Sequence, residues 1–92
     1  MIQSFNHKGF ERFFKIRNKY GIQAKHANRI RLILGRLNAS TSPADMDLPG
    51  LYLQQLTGDR QEIWSVRVSG DWLVTFRFND VHAEVVDYGD YH

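Results

Sequence analysis

The sequence predicts an α+β domain of two layers, with two N-terminal helices packed on a small antiparallel sheet around one core. Three observations lead there. Residues 8–20 and 23–39 space their apolar side chains as helices do. Residues 62–68, 72–78 and 81–88 alternate with period two and are rich in β-branched and aromatic residues. The joints between those runs, Ser69-Gly70-Asp71 and Asn79-Asp80, are short and turn-forming, so the strands should pair with their neighbours as a meander.

Taken in order, residues 1–5 alternate and suggest a short strand with Ile2 or Phe5 inward. In residues 8–20, Phe10, Phe13, Phe14 and Ile16 gather on one side and Arg12, Lys15 and Lys19 on the other. Arg17 falls within the apolar arc, where its stem should lie along the edge, and Gly21 is the expected stop. In residues 23–39, Ala27, Ile30, Ile33, Leu34 and Leu37 form a core stripe flanked by Lys25, Arg29 and Arg36. Leu32 lies between those cations, and an isolated exposed leucine needs no partner. Because Arg29 and Arg36 are off the core stripe, reversing their charge should change stability little. Ser42-Pro43-Ala44-Asp45 reads as a capped helix start that Pro49 limits to one turn. Residues 51–56 suggest a further short strand and 57–60 a turn.

Face matching gives a register. A three-residue loop at 69–71 sets Val68 opposite Trp72, Val66 opposite Val74 and Trp64 opposite Phe76. With Asn79-Asp80 as the next turn, Phe76 meets Ala83 and Val74 meets Val85. The other face then carries Ser65, Arg67, Leu73, Thr75, Arg77, His82 and Glu84 and runs into Asp90-Tyr91-His92. That polar, partly basic face is where chemistry is expected.

Ninety-two residues with 42% hydrophobic content suit one domain spanning 1–92. A chain of this size buries roughly 60–65% of its unfolded surface. Cysteine is absent, which removes disulfides and thiolate metal sites and suits a reducing cytoplasm. No apolar run approaches the roughly 20 residues that span a bilayer, and residues 1–5 lack a signal-peptide layout, so a cytoplasmic protein is expected. Charge is lopsided: residues 1–36 hold nine Lys/Arg against one acid, and residues 37–92 hold three against nine. The first part is suited to a polyanion, although surface helices are often basic for solubility alone.

The four histidines are scattered, no HExxH is present and no glycine-rich phosphate loop occurs, so no metal and no cofactor is expected. What remains is a histidine, tyrosines, a carboxylate and arginines near a basic surface. That set suits RNA phosphodiester cleavage, which needs a base for the 2′-OH, an acid for the leaving 5′-oxygen and cations for the phosphorane. His92 can accept or donate a proton near neutrality, and as the final residue its own carboxylate would favour the charged ring. Tyr91 and Tyr88 either orient the reacting groups or pack. Arg67 and Arg77 either meet phosphate or pair with Glu62 and Glu84.

Met1-Ile2-Gln3-Ser4-Phe5, then Leu53, Leu56, Gly58-Asp59-Arg60, Trp64-Ser65-Val66-Arg67-Val68, Trp72, Phe76, Asp87-Tyr88 and Asp90-Tyr91-His92 occur in this order. The pattern resembles HigB-type toxins of the RelE/ParE superfamily over essentially the whole chain. The resemblance implies a RelE-like fold and a metal-independent, ribosome-dependent mRNA endonuclease. It also implies a helix-turn-helix antitoxin of the HigA type, with operator DNA reached through that antitoxin. Asp90, Tyr91 and His92 match family active-site positions, and Arg67 matches a frequent strand arginine. Arg12, Lys15, Lys19, Lys25, Arg29, Arg36 and Arg77 would then contact RNA backbone. Gln54 and Thr57 replace a histidine and a lysine of well-studied members, and Leu73 replaces a common arginine. Those departures leave two alternatives: a ParE-like inhibitor of a protein target, and a regulatory component acting only with its antitoxin on operator DNA.

Overall fold

In the computed structural model, which describes residues 1–18, 21–56 and 62–90, two α-helices and one antiparallel sheet enclose a shared core. Helix α1 spans Lys8–Ile16. It starts where His7 Nδ1 accepts the Phe10 N–H at 3.0 Å, taking the place of a serine or aspartate cap. It ends earlier than the apolar spacing suggested. Arg17 turns left-handed at φ 57°, and two backbone bonds, Arg17 N–H to Phe13 O (3.0 Å) and Asn18 N–H to Arg12 O (3.4 Å), close the last turn. Phe10 and Phe13 are buried as expected, but Ile16, at the flank of the arc, is 67% exposed. Arg17 is an exposed cap that lines a cleft with Phe13, Phe14 and Leu34, at the core edge as expected. Gly21 does not stop this helix. It packs on Gly9 so closely that a Cβ on Gly9 would lie 2.7 Å from the Gly21 Cα.

A 3₁₀ turn, Ala24–His26, leads into helix α2, Ala27–Ala39. The whole expected stripe, Ala27, Ile30, Ile33, Leu34 and Leu37, is buried, while Leu32 is exposed. The one-turn element is a 3₁₀ turn, Pro43–Met46, and Ser42 makes no side-chain cap there. The Asp45 carboxylate instead folds back to accept the Thr41 N–H at 2.9 Å, and its pKa is lowered chiefly by that bond.

The sheet has strands β1 (Gln54–Gln55), β2 (Trp64–Ser69), β3 (Trp72–Asn79) and β4 (His82–Asp90), antiparallel in the order 1-2-3-4. The strand expected at 51–56 shrinks to two residues because Tyr52, at φ 53°, interrupts the extended chain. At the other edge, Ile2 and Phe5 bridge Ala83 and Val86 in parallel, with Ile2 buried.

Two β-bulges correct the expected register. Trp64↔Phe76 and Val66↔Val74 hold, but Ser69, not Val68, faces Trp72. The loop is therefore the two residues Gly70-Asp71, with Gly70 at φ 56°. A bulge between Arg67 and Ser69 absorbs the odd residue and leaves Val68 buried. Between β3 and β4 the pairs are Phe78↔Ala83 and Val74↔Tyr88, in place of Phe76 with Ala83 and Val74 with Val85. The turn moves to Asp80-Val81, and the register shifts again at Val85, which stands at φ 48°. The Val85 N–H at this bulge is taken by Ser4 Oγ at 2.9 Å. Beyond it, Val86 and Tyr88 occupy the core. Among the described residues no helix is long and apolar enough to cross a membrane.

Candidate functional site

The sheet face away from the helices is ordered by register into rows. Gln54, Ser65, Thr75 and Asp87 cross all four strands, and Arg67, Leu73 and Gly89 form the next row toward the chain end. Ser65 and Thr75 are buried although this face is polar. At the strand ends Ser69, Trp72 and Asp90 pair across the opposite face.

Trp72 contacts His26 and Tyr88, so it lies on the helix side of the sheet. Alternation therefore puts Asp90 on that side and Arg67 on the other. The structure does not bring these two candidates side by side. Tyr91, His92 and Lys19 lie outside the described residues.

Arg67 is exposed, with its guanidinium carbon 4.6 Å from the centroid of the Tyr52 ring. Its backbone is fastened on both sides: the N–H donates to Leu51 O at 2.7 Å and the carbonyl accepts from Arg29 Nε at 3.3 Å. Arg77 donates to Glu84 at 2.7 Å and reaches Glu62 at 3.4 Å. The Glu84 hydrogen bond raises the Arg77 pKa, and the reciprocal bond lowers that of Glu84. Two carboxylates thus balance the Arg77 charge.

The helix cations divide by what they touch. Arg29 also donates from Nη2 to the Gly50 carbonyl, and Arg36 donates from Nε to Asp45 O at 3.2 Å. Both hold the chain of residues 45–51 against α2. Reversing their charge is consequently a structural change, contrary to what the helix pattern suggested. Lys15 makes an exposed i,i+4 pair with Glu11 at 3.1 Å, of the kind worth little to stability. Arg12 and Lys25 are exposed on their helices.

The main polar feature that periodicity missed is His26. It is 3% exposed, with Nδ1 2.7 Å from the Tyr88 hydroxyl and Nε2 unpartnered among the described residues. Tyr88 itself stacks between Phe10 (4.7 Å) and Trp72 (4.8 Å). Of the two roles open to Tyr88, packing is the observed one. The signal was present: His26, Ile30, Ile33 and Leu37 continue one stripe at spacings of four, three and four.

Burial, and then the neighbouring Lys25 charge, push the His26 pKa down. The unfolded chain consequently binds the proton more readily, and stability falls as pH drops below about 6.5, the ordinary histidine value. A lower urea midpoint at pH 5 than at pH 7 is expected, with a shallower fall in His26→Gln. An equal fall in the variant would assign the acid sensitivity to other groups.

The sequence model of a family described as "RelE-like toxin of type II toxin-antitoxin system HigB" matches residues 3–92. The chain is also similar to the "Endoribonuclease HigB" of Proteus vulgaris, with 34% identity over 92 residues, covering 100% of both chains.

Proposed function

This chain belongs to the HigB-like family of RelE-like toxins of type II toxin–antitoxin systems, and from that membership we infer that it is an endoribonuclease that cuts mRNA on the ribosome. The observation that carries this reading is the 34% identity to an endoribonuclease along the full length of both chains. In this reading His92 moves the proton at the 2′-oxygen or the leaving 5′-oxygen. Tyr91 and Asp90 orient the reacting groups, and Arg67 stabilises the phosphorane. Leu73 pairs with Arg67 across β2 and β3, so the cation of that row is Arg67. The ribosome supplies orientation, which can account for several kcal/mol of the barrier, up to roughly 7–11.

Arg12, Lys15, Lys19, Lys25, Arg29, Arg36 and Arg77 meet ribosomal RNA phosphates in contacts that weaken with salt. Arg29, Arg36 and Arg77 also hold the fold, so Arg12, Lys15 and Lys25 are the positions that separate RNA contact from folding. The neutralising partner is a HigA-like helix-turn-helix antitoxin, through which operator DNA is reached, and the setting is cytoplasmic.

Induction in cells should arrest growth and produce new mRNA 5′ ends within minutes, confined to translated messages. A reporter lacking its start codon should stay intact, and coexpressing the antitoxin should restore growth. Arrest without new ends would replace the nuclease reading with a ParE-like block of a protein target.

A further inference from the structure

Tyr52 departs from every local rule. It is a bulky residue held in the left-handed region at φ 53°, where glycine or asparagine sits at little cost. Its ring contributes little to the core, because the residue is 66% exposed. It belongs to a strap fastened to β2 independently of the ring. Leu51 is buried and its carbonyl takes the Arg67 N–H, while Arg29 bonds both the Gly50 and the Arg67 carbonyls. Backbone bonds therefore bring the Arg67 guanidinium over the Tyr52 ring, its carbon 4.6 Å from the ring centroid. Both remain exposed on the polar face of the sheet, beside the row of Arg67, Leu73 and Gly89. Strain kept at an exposed aromatic is a pointer to ligand contact.

We propose that Tyr52 and Arg67 form a stacking platform for one unpaired base of a single-stranded RNA. The base lies on the outward face of the guanidinium, continuing the stack that the ring begins. The edge N–H groups of Arg67 remain directed sideways, where they donate to the adjoining phosphate. Unpaired bases are recognised in this way on aromatic rings and arginine planes, with little demand on base identity. A purine offers the larger face and is held more tightly than a pyrimidine. This rests on the endoribonuclease reading and adds to it the residue that seats the substrate.

The test is fluorescence quenching of short single-stranded RNAs carrying 2-aminopurine at each position in turn. The proteins are wild type, Tyr52→Phe, Tyr52→Ala and Tyr52→Gly. Glycine adopts the required φ without strain, so Tyr52→Gly should melt no lower than wild type and removes folding as an explanation. Tyr52→Phe should quench as wild type does. Tyr52→Ala and Tyr52→Gly should lose quenching at one position and bind about tenfold to a hundredfold more weakly. An RNA lacking the base there should bind wild type and Tyr52→Gly equally. Quenching and affinity in Tyr52→Gly equal to wild type, or no quenching by wild type at any position, would overturn the platform. Cleavage of ribosome-bound mRNA by wild type is measured alongside. Cleavage without Tyr52-dependent quenching removes the platform alone; quenching without cleavage removes the nuclease reading and leaves the platform.

Discussion

Replacing His92 with glutamine lowers single-turnover cleavage of ribosome-bound mRNA by about 10²–10⁴-fold, the span one positioned proton-transfer group supplies. Imidazole exchanges a proton near pH ~6.5, whereas a glutamine amide can hydrogen-bond but carries no proton at neutral pH. The substitution therefore separates acid–base work from positioning. Ribosome binding and antitoxin binding should be unchanged. His92→Ala should cleave as slowly as His92→Gln, since both lack the proton. If the glutamine variant cleaves as fast as wild type, proton transfer falls to Tyr91 or to the ribosome itself. Arg67→Gln serves as the contrast. It removes a charge that stabilises the phosphorane, so a loss of about 10²–10³-fold is expected from the missing cation and not from a missing proton carrier.

The parts of the fold that follow from one residue's neighbours in sequence were legible; those that depend on a second segment were not. The α2 stripe from Ala27 to Leu37 is buried because spacing alone puts those residues on one face. The same logic placed β2 and β3 in register at Trp64↔Phe76 and Val66↔Val74. Alternation fails where the chain inserts a residue. The bulge at Val85 is stabilised by a hydroxyl 81 residues away, on Ser4, and period-two reading has no access to that bond. Period-two alternation consequently leaves Tyr88 undecided between packing and chemistry, whereas the shifted register commits it to the core. Arg29 shows the same limit: its helix position marks it as surface, while its partners are carbonyls of residues 50 and 67. For the site, residue types and the resemblance supplied Asp90, Tyr91, His92 and Arg67. The sheet faces that part Asp90 from Arg67 become visible only once Trp72 is seen against His26.

Phe10→Ala should destabilise the domain by about 3–5 kcal/mol, the usual range for deleting a buried phenylalanine ring. Phe10 is 0% exposed and lies within the core cluster, so little movement can fill the space it leaves. Total stability for a chain of this size is roughly 5–14 kcal/mol, so the loss is a large share of it. At about 4–8 °C per kcal/mol for a domain this small, the melting temperature should fall by at least about 12 °C, read from circular dichroism. Phe10→Leu should fall less, because it keeps most of the apolar volume. A shift under about 3 °C for Phe10→Ala would mean that α1 does not seat on the sheet as described. The consequence reaches the candidate site through one stack. The Phe10 ring lies at 17° to Tyr88, Tyr88 lies at 29° to Trp72, and Trp72 pairs with Asp90. Loss of the Phe10 face frees Tyr88 on one side, two residues before Asp90. At a temperature where Phe10→Ala is still folded, cleavage should therefore fall more than the folded fraction does. Tyr88→Phe is the control, since it keeps both stacking faces and removes only the hydroxyl, which bonds His26 and the Gln23 backbone. That variant should lose about 0.5–1.5 kcal/mol and keep cleavage in proportion to its folded fraction. Equal behaviour of the two variants, once corrected for folding, would show that the stack does not position the strand end.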